Sequence, residues 1–295
     1  MERIATPSMT KKIISKYNIR MHKSLGQNFL IEPKFIDKIV DASDIRENQV
    51  VVEIGPGIGA LTQALADKAG LVIAIEIDRN LVNVLNETLG EYRNIQVVYG
   101  DAMKVDFDQL VQEASGKDLR LPYRVVANLP YYITTPIIMR LLEEKFHFFS
   151  LVLMVQKEVA LRMQALPGTK DYGALSIGVQ YYCCPTLVKI VPPTVFYPRP
   201  EVESAIIKLD KREQPAVQVD DEKVFFSLVK AAFNQRRKTL LNALTNSGFS
   251  LNKEEWLKVL MESQIEPNRR GETLSLQEFA LLANNLIPLI GGISL

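Results

Sequence analysis

The chain has 295 residues, 47% of them hydrophobic, which is enough for one large domain, or one large and one small, around a substantial core. A formal net charge of +1 excludes nucleic-acid binding through overall charge, so any such contact must come from local patches. The only cysteines are the neighbours Cys183 and Cys184, and the only histidines are His22 and His147. That leaves no disulfide framework, no zinc-ligand spacing and no histidine-based triad; no metal site is expected, and a reducing, cytoplasmic setting is.

In chain order, residues 3–31 carry Arg3, Lys11, Lys12, Lys16, Arg20 and Lys23 and no acid. A transit peptide and a flexible arm that contacts phosphates both fit this composition, and no secretory apolar segment is present. Phe35, Ile36, Ile39 and Val40 then recur at helical spacing. Gln49–Ile54 reads as a buried strand that runs into Gly55-Pro56-Gly57-Ile58-Gly59 and the helical Ala60–Leu65. A strand, a glycine turn and a helix form a nucleotide-type cradle: Gly55 and Gly57 let backbone approach a ligand, and the helix start supplies N–H donors. A dinucleotide-binding fingerprint fits this stretch equally well.

The next strand, Leu71–Ile75, ends in Glu76, a carboxylate that can hold ribose hydroxyls or cap the following helix. Ile95–Tyr99 ends in Gly100-Asp101, and Asp101 can accept from an adenine amino group or cap the following helix. Tyr123–Ala127 ends in Asn128-Leu129-Pro130-Tyr131. There the Asn128 side chain and the Leu129 carbonyl are two acceptors, Pro130 stiffens the turn, and Tyr131 offers a flat face. Two acceptors beside a stacking plane suit the exocyclic amine of a purine; a strand-end turn with an Asn cap and an aromatic in the core fits the four residues equally well. Thr135 is placed to cap a helix with Pro136 at its first position. These strand ends fall on one edge of a parallel sheet.

Further strands are expected at 151–155, 187–191 and 202–209, with helical patterns between most of them, so the fold class is α/β with a doubly wound sheet. Phe196-Tyr197-Pro198-Arg199-Pro200 is a proline-stiffened loop able to hold Phe196 against a ligand, and a turn with aromatic packing fits it equally well. Residues 210–220 read as a linker. Beyond it the pattern is helical only: Phe225, Leu228, Val229, Ala232, Phe233, Leu240 and Leu244 share one periodicity. Arg236-Arg237-Lys238 lie on that predicted helix, with Lys230 and Arg237 on one face, as a phosphate contact or a solvated face. Later helices are expected around Trp256–Leu260 and Leu276–Leu282.

Taken together, these motifs resemble the ribosomal RNA adenine N6,N6-dimethyltransferases, specifically the KsgA/RsmA type that acts on small-subunit rRNA. The resemblance covers nearly the whole chain. It rests on Leu25–Leu30, Glu53–Gly59, Glu76–Asp78, Gly100–Ala102, Asn128–Tyr131, Gln156–Ala160, Phe196–Ser204 and Ala231–Leu240. It implies a Rossmann-like class I methyltransferase domain (1–210, with the basic arm 1–31) and a helical RNA-binding domain (211–295). It also implies that Asn28, Leu30, Gly55, Glu76, Asp101 and Asn128 contact S-adenosylmethionine, and that Tyr131 and Phe196 flank the target adenine. Arg199 departs from the family pattern, where another proline is common. The implied partner is 16S rRNA in a small-subunit assembly intermediate, gripped by Lys23, Arg236, Arg237 and Lys238, with the enzyme a monomer and no membrane involved. Competing readings are a nicotinamide oxidoreductase, a non-catalytic assembly factor, and the 23S rRNA methyltransferases of macrolide resistance.

Overall fold

The computed structural model describes residues 2–19, 27–116 and 122–290. Lys23, Arg20 and the Leu25-Gly26 pair lie outside them. The elements in order are α1 (Pro7–Lys16), β1 (Phe29–Leu30), α2 (Pro33–Ser43), β2 (Val50–Ile54), α3 (Ala60–Ala66), β3 (Leu71–Glu76), α4 (Arg79–Thr88) and β4 (Ile95–Tyr99). Then come α5 (Phe107–Ser115), β5 (Tyr123–Asn128), α6 (Thr134–Glu143), β6 (Phe148–Gln156), α7 (Lys157–Met163), α8 (Ala174–Tyr182), β7 (Cys183–Val191), β8 (Phe196–Tyr197) and β9 (Ser204–Lys211). Four helices follow: α9 (Glu222–Asn234), α10 (Leu240–Thr245), α11 (Lys253–Glu262) and α12 (Leu276–Ile290). Among the described residues, no helix is long and apolar enough to cross a membrane.

Seven strands form one sheet in the order β4-β3-β2-β5-β6-β9-β7. The pairs from β4 through β6 are parallel, and β9 runs antiparallel to β6. The sheet is therefore mixed, not wholly parallel. Val51, Val52, Val72, Ile73, Val125 and Val126 are fully buried, as strands covered on both faces require. Strand order reverses between β2 and β5. A crevice opens at such a switch point, beyond the carboxyl ends of the strands.

Three expectations change. Residues 2–19 are not a loose arm. Thr6 accepts the Met9 N–H to cap α1, and Ile4, Ala5 and Ile13 join the core. Gln63 ties the segment down by accepting from the Ile4 N–H (2.9 Å) and donating to the Glu2 carbonyl (3.1 Å). Second, α9 stops at Asn234, so Arg236-Arg237-Lys238 sit in the turn before α10, and Lys230 and Arg237 do not share a helix face. The Leu240 N–H bonds the Arg269 carbonyl, and Arg236 donates to the carbonyls of Lys170 and Tyr172. Third, the chain divides into two compact units, 1–160 with 184–211, and 161–183 with 212–295. Residues 161–183 thus join the helical unit instead of the sheet. Their aromatics explain it: Tyr181 stacks on Phe225 at 5.2 Å and Tyr172 meets Phe233 edge-on at 6.0 Å.

Candidate active site

The first unit contains a cavity at the carboxyl ends of β2, β3, β4 and β5. Asn28, Leu30, Gly55, Gly57, Glu76, Asp101, Asn128, Leu129, Pro130, Tyr131 and Phe196 all line it. Eleven expected site residues from six separate stretches therefore meet in one place. Lys23 falls outside the described residues, and Arg236, Arg237 and Lys238 belong to the other unit.

The turn after β2 is left-handed at Gly55 and Gly57 (φ +69° and +61°), a region where a side chain is strained. Open space lies where a Cβ on Gly55 would project, so backbone there is exposed to a ligand. At Gly57 the same atom would meet the Phe29 ring at 2.9 Å, so this glycine lets β1 close over the turn. Glu76 is almost fully buried and accepts three backbone N–H groups: Gly57 (3.2 Å), Ile77 (2.9 Å) and Asp78 (3.0 Å). Burial pushes its carboxyl up, and the three donors pull it back towards the charged form. Asp101 accepts from the Met103 N–H at 2.9 Å and pairs with Lys104 at 3.8 Å.

Beyond β5, the Asn128 side-chain NH₂ donates to the Asn28 carbonyl at 3.0 Å. A carbonyl can only accept, so this bond fixes which end of the amide is which: Oδ1 is the end left to accept. The turn is closed by the Pro130 carbonyl, which accepts from the Ile133 N–H (3.2 Å) and the Thr134 hydroxyl (3.0 Å). Consequently α6 starts at Thr134 without a side-chain cap, and Thr135 does not serve as one. Phe196 is 2% exposed. It is placed by a two-stranded antiparallel sheet in which Leu30 pairs with Phe196 and Phe29 with Tyr197.

Two features of the site fall outside the expected site residues. Glu53, which reads as part of an apolar strand, lines the cavity at 1% exposure. Burial pushes its carboxyl up to about 8, the charge of Glu76 adds to this, and the nearby Thr62 hydroxyl offsets part of it. Its Oε2 has no hydrogen-bond partner among the described residues. A signal for it exists, since a lone acid inside a buried strand is costly unless it has a task. The second is Ser204, whose hydroxyl lies 2.9 Å from that of Tyr131.

The residues fit S-adenosylmethionine. The open face of Gly55 admits a ligand against backbone, Glu76 offers a carboxylate for ribose, and the buried Glu53 brings a polar carboxyl to the cavity wall. No group of three or more His, Cys, Asp or Glu side chains that could hold a metal occurs among the described residues.

Residues 18–282 match the family model for ribosomal RNA adenine dimethylase. The Ribosomal RNA small subunit methyltransferase A of Alkaliphilus metalliredigens is 54% identical over 287 residues, covering 97% of this chain and 99% of that protein. The protein of the same name from Moorella thermoacetica is 55% identical over 288 residues, again covering 97% and 99%. Among solved structures, a dimethyladenosine transferase from Plasmodium falciparum is similar at TM-score 0.71 and 32% identity, covering 86% of this chain and 95% of that one. The 23S rRNA methyltransferase ErmE is similar at 0.64 and 25% identity, covering 87% and 98%. Motif order, fold and near-full-length similarity agree: this chain belongs to the ribosomal RNA adenine dimethylase family.

Proposed function

We propose that this protein methylates N6 of two adjacent adenines in a 16S rRNA hairpin, giving N6,N6-dimethyladenines, late in small-subunit assembly. It works as a cytoplasmic monomer, and the helical unit and basic N-terminal residues grip the RNA backbone. The observation that carries the chemistry is the oriented amide of Asn128, whose NH₂ is engaged by the Asn28 carbonyl so that Oδ1 is available as an acceptor.

When bound, S-adenosylmethionine supplies an electrophilic methyl group. Gly55 and Gly57 give it backbone to lie against, Glu76 holds its ribose, and Asp101 accepts from its adenine amine; Asn28 and Leu30 close the near side. The N6 lone pair of the target adenine is delocalised into the ring, which makes the amine a poor nucleophile. Asn128 Oδ1 and the Leu129 carbonyl accept the N6 hydrogens and favour a pyramidal nitrogen, while Tyr131 and Phe196 flank the ring. The target base has to leave its stack to reach them. Most of the rate then comes from positioning. No strong base is required, because the N6 proton becomes acidic once the nitrogen is alkylated.

The test is Asn128→Ala, assayed on small-subunit particles that lack the modification, with cofactor binding followed by calorimetry. Transfer is expected to be nearly abolished in a folded protein. Turnover within about threefold of wild type, no more than a weak net hydrogen bond is worth, would refute the role. Efficient dimethylation of large-subunit rRNA with the small-subunit particles inert would transfer the substrate to the ErmE-like class.

A further inference from the structure

The Tyr131–Ser204 contact has no part in the chemistry above. Tyr131 is half-buried, and its hydroxyl meets the Ser204 hydroxyl at 2.9 Å. Ser204 is completely buried and is the first residue of β9, directly after the loop that carries Phe196. Its position is fixed from two sides. In the antiparallel ladder it pairs with Gln156, the last residue of β6. One residue earlier, the Glu203 carbonyl accepts from the Lys157 N–H at 3.0 Å, and the Glu203 carboxylate pairs with the Lys157 ammonium at 2.7 Å. The far end of the Tyr131 ring is thereby tied to the base of the loop that supplies the opposite aromatic, Phe196.

We infer that Ser204 is a positioning residue that anchors the far end of the Tyr131 ring, and that this tether matters more for the second methyl transfer than for the first. The inference rests on the reading of Tyr131 as a wall of the target-base slot. The hydroxyl lies on the axis of the ring's own broad torsion, so the bond leaves that rotation alone; what it holds is the far end of the ring, against a swing about χ1 that would carry the whole ring to another staggered well. In the first transfer the adenine presents two N6 hydrogens, and both acceptors, Asn128 Oδ1 and the Leu129 carbonyl, hold the nitrogen. After the first methyl one hydrogen remains. One acceptor is then idle, and the ring walls carry more of the alignment. A slot wall that rocks penalises that second encounter selectively.

The experiment compares Tyr131→Phe, Ser204→Ala and the double variant on unmodified small-subunit particles. Single-turnover rates of monomethyl and dimethyl formation are read by mass spectrometry of the digested RNA. Each single variant should slow the second transfer relative to the first by roughly two- to tenfold, the worth of one net hydrogen bond. The double variant should be no worse than either single, because both remove the same bond. Ser204→Cys, close in size and a weaker partner, should fall between. Cofactor affinity by calorimetry should not change. Wild-type ratios of the two rates, an additive double variant, or a parallel loss of cofactor affinity would each overturn the tether. Tyr131→Phe stands as the test if Ser204→Ala fails to fold. Tyr131→Ala separates the two readings: normal RNA capture in that variant defeats the stacking role itself, whereas impaired capture beside normal Tyr131→Phe and Ser204→Ala proteins defeats the tether alone.

Discussion

Replacing Glu53 by Gln should stabilise the protein, and by an amount that grows with pH. Glu53 lies within β2, in register with Ala74 on one side and Val126 on the other. The charged group acting on it is Glu76 on β3, and Thr62 on α3 is its polar neighbour. Its carboxyl is raised from 4.5 to about 8. A carboxyl with a raised folded value favours the folded state fully below the unfolded value, and that contribution is lost as pH climbs through the folded one. Between pH 5 and pH 8 the folded protein holds a proton that the unfolded chain has released. Integrating over that window gives a loss of about 3–4 kcal/mol relative to a glutamine, which has nearly the same shape and no proton to take up. The assay is urea denaturation of both proteins from pH 5 to pH 8. Circular dichroism is the suitable probe, because the only tryptophan, Trp256, belongs to the helical unit. Parallel stability curves for the two proteins would mean that Glu53 is charged in the fold.

Gly57→Ala should lower stability by about 1–2 kcal/mol, the usual cost of a left-handed non-glycine residue, and weaken cofactor binding as the Phe29 ring is displaced. Unchanged cofactor affinity by calorimetry would remove this turn from the site. Glu76→Ala strands the amides of Gly57, Ile77 and Asp78; it should cost about 1–3 kcal/mol in denaturation and raise the cofactor dissociation constant without altering RNA affinity. All three cations are exposed, but Arg236 is also held by Lys170, Tyr172 and Glu272. Changing Arg237 and Lys238 to Gln should weaken RNA binding and flatten its salt dependence, by roughly 0.7–0.9 in log–log slope for each phosphate that is no longer neutralised. Arg236→Gln should appear instead as a lower unfolding temperature. An unchanged slope for the pair would make it a solvated face.

The sheet is legible in the sequence because its strands are short apolar runs that end in chemistry-bearing residues, and both properties are local. What the sequence hides is non-local. Leu240 and Leu244 stay in helical phase with Phe225, so periodicity carries one helix straight through Gln235, and no glycine or proline interrupts it. The helix breaks because the Leu240 N–H finds the Arg269 carbonyl, a partner no window of the sequence contains. The N-terminal residues mislead for the opposite reason. Six cations without an acid outweigh Ile4 and Ile13, while Thr6 followed by Pro7 already marks a capped helix start. The reversal of β9 leaves no trace at all, since a strand buried on both faces reads the same in either direction.

At the site, residue types are readable and their orientation is not. Asn128 in a strand-end turn can cap, fill space or bind, and its neighbours do not decide between these. Its orientation comes from Asn28, 100 residues earlier, whose carbonyl engages one end of the amide and leaves the other to accept. Tyr131 repeats the pattern with Ser204, 73 residues later. In each case one polar end of a side chain is tied down by a distant strand. A second end, an oxygen in Asn128 and a ring face in Tyr131, is left with little freedom to lose on binding. Such contacts require β1 beside β8 and β9 beside β6, pairings set by topology. The precision of this site is therefore a property of the fold, and the motif Asn128–Tyr131 placed in another sheet would keep its acceptors and its aromatic face but lose their aim.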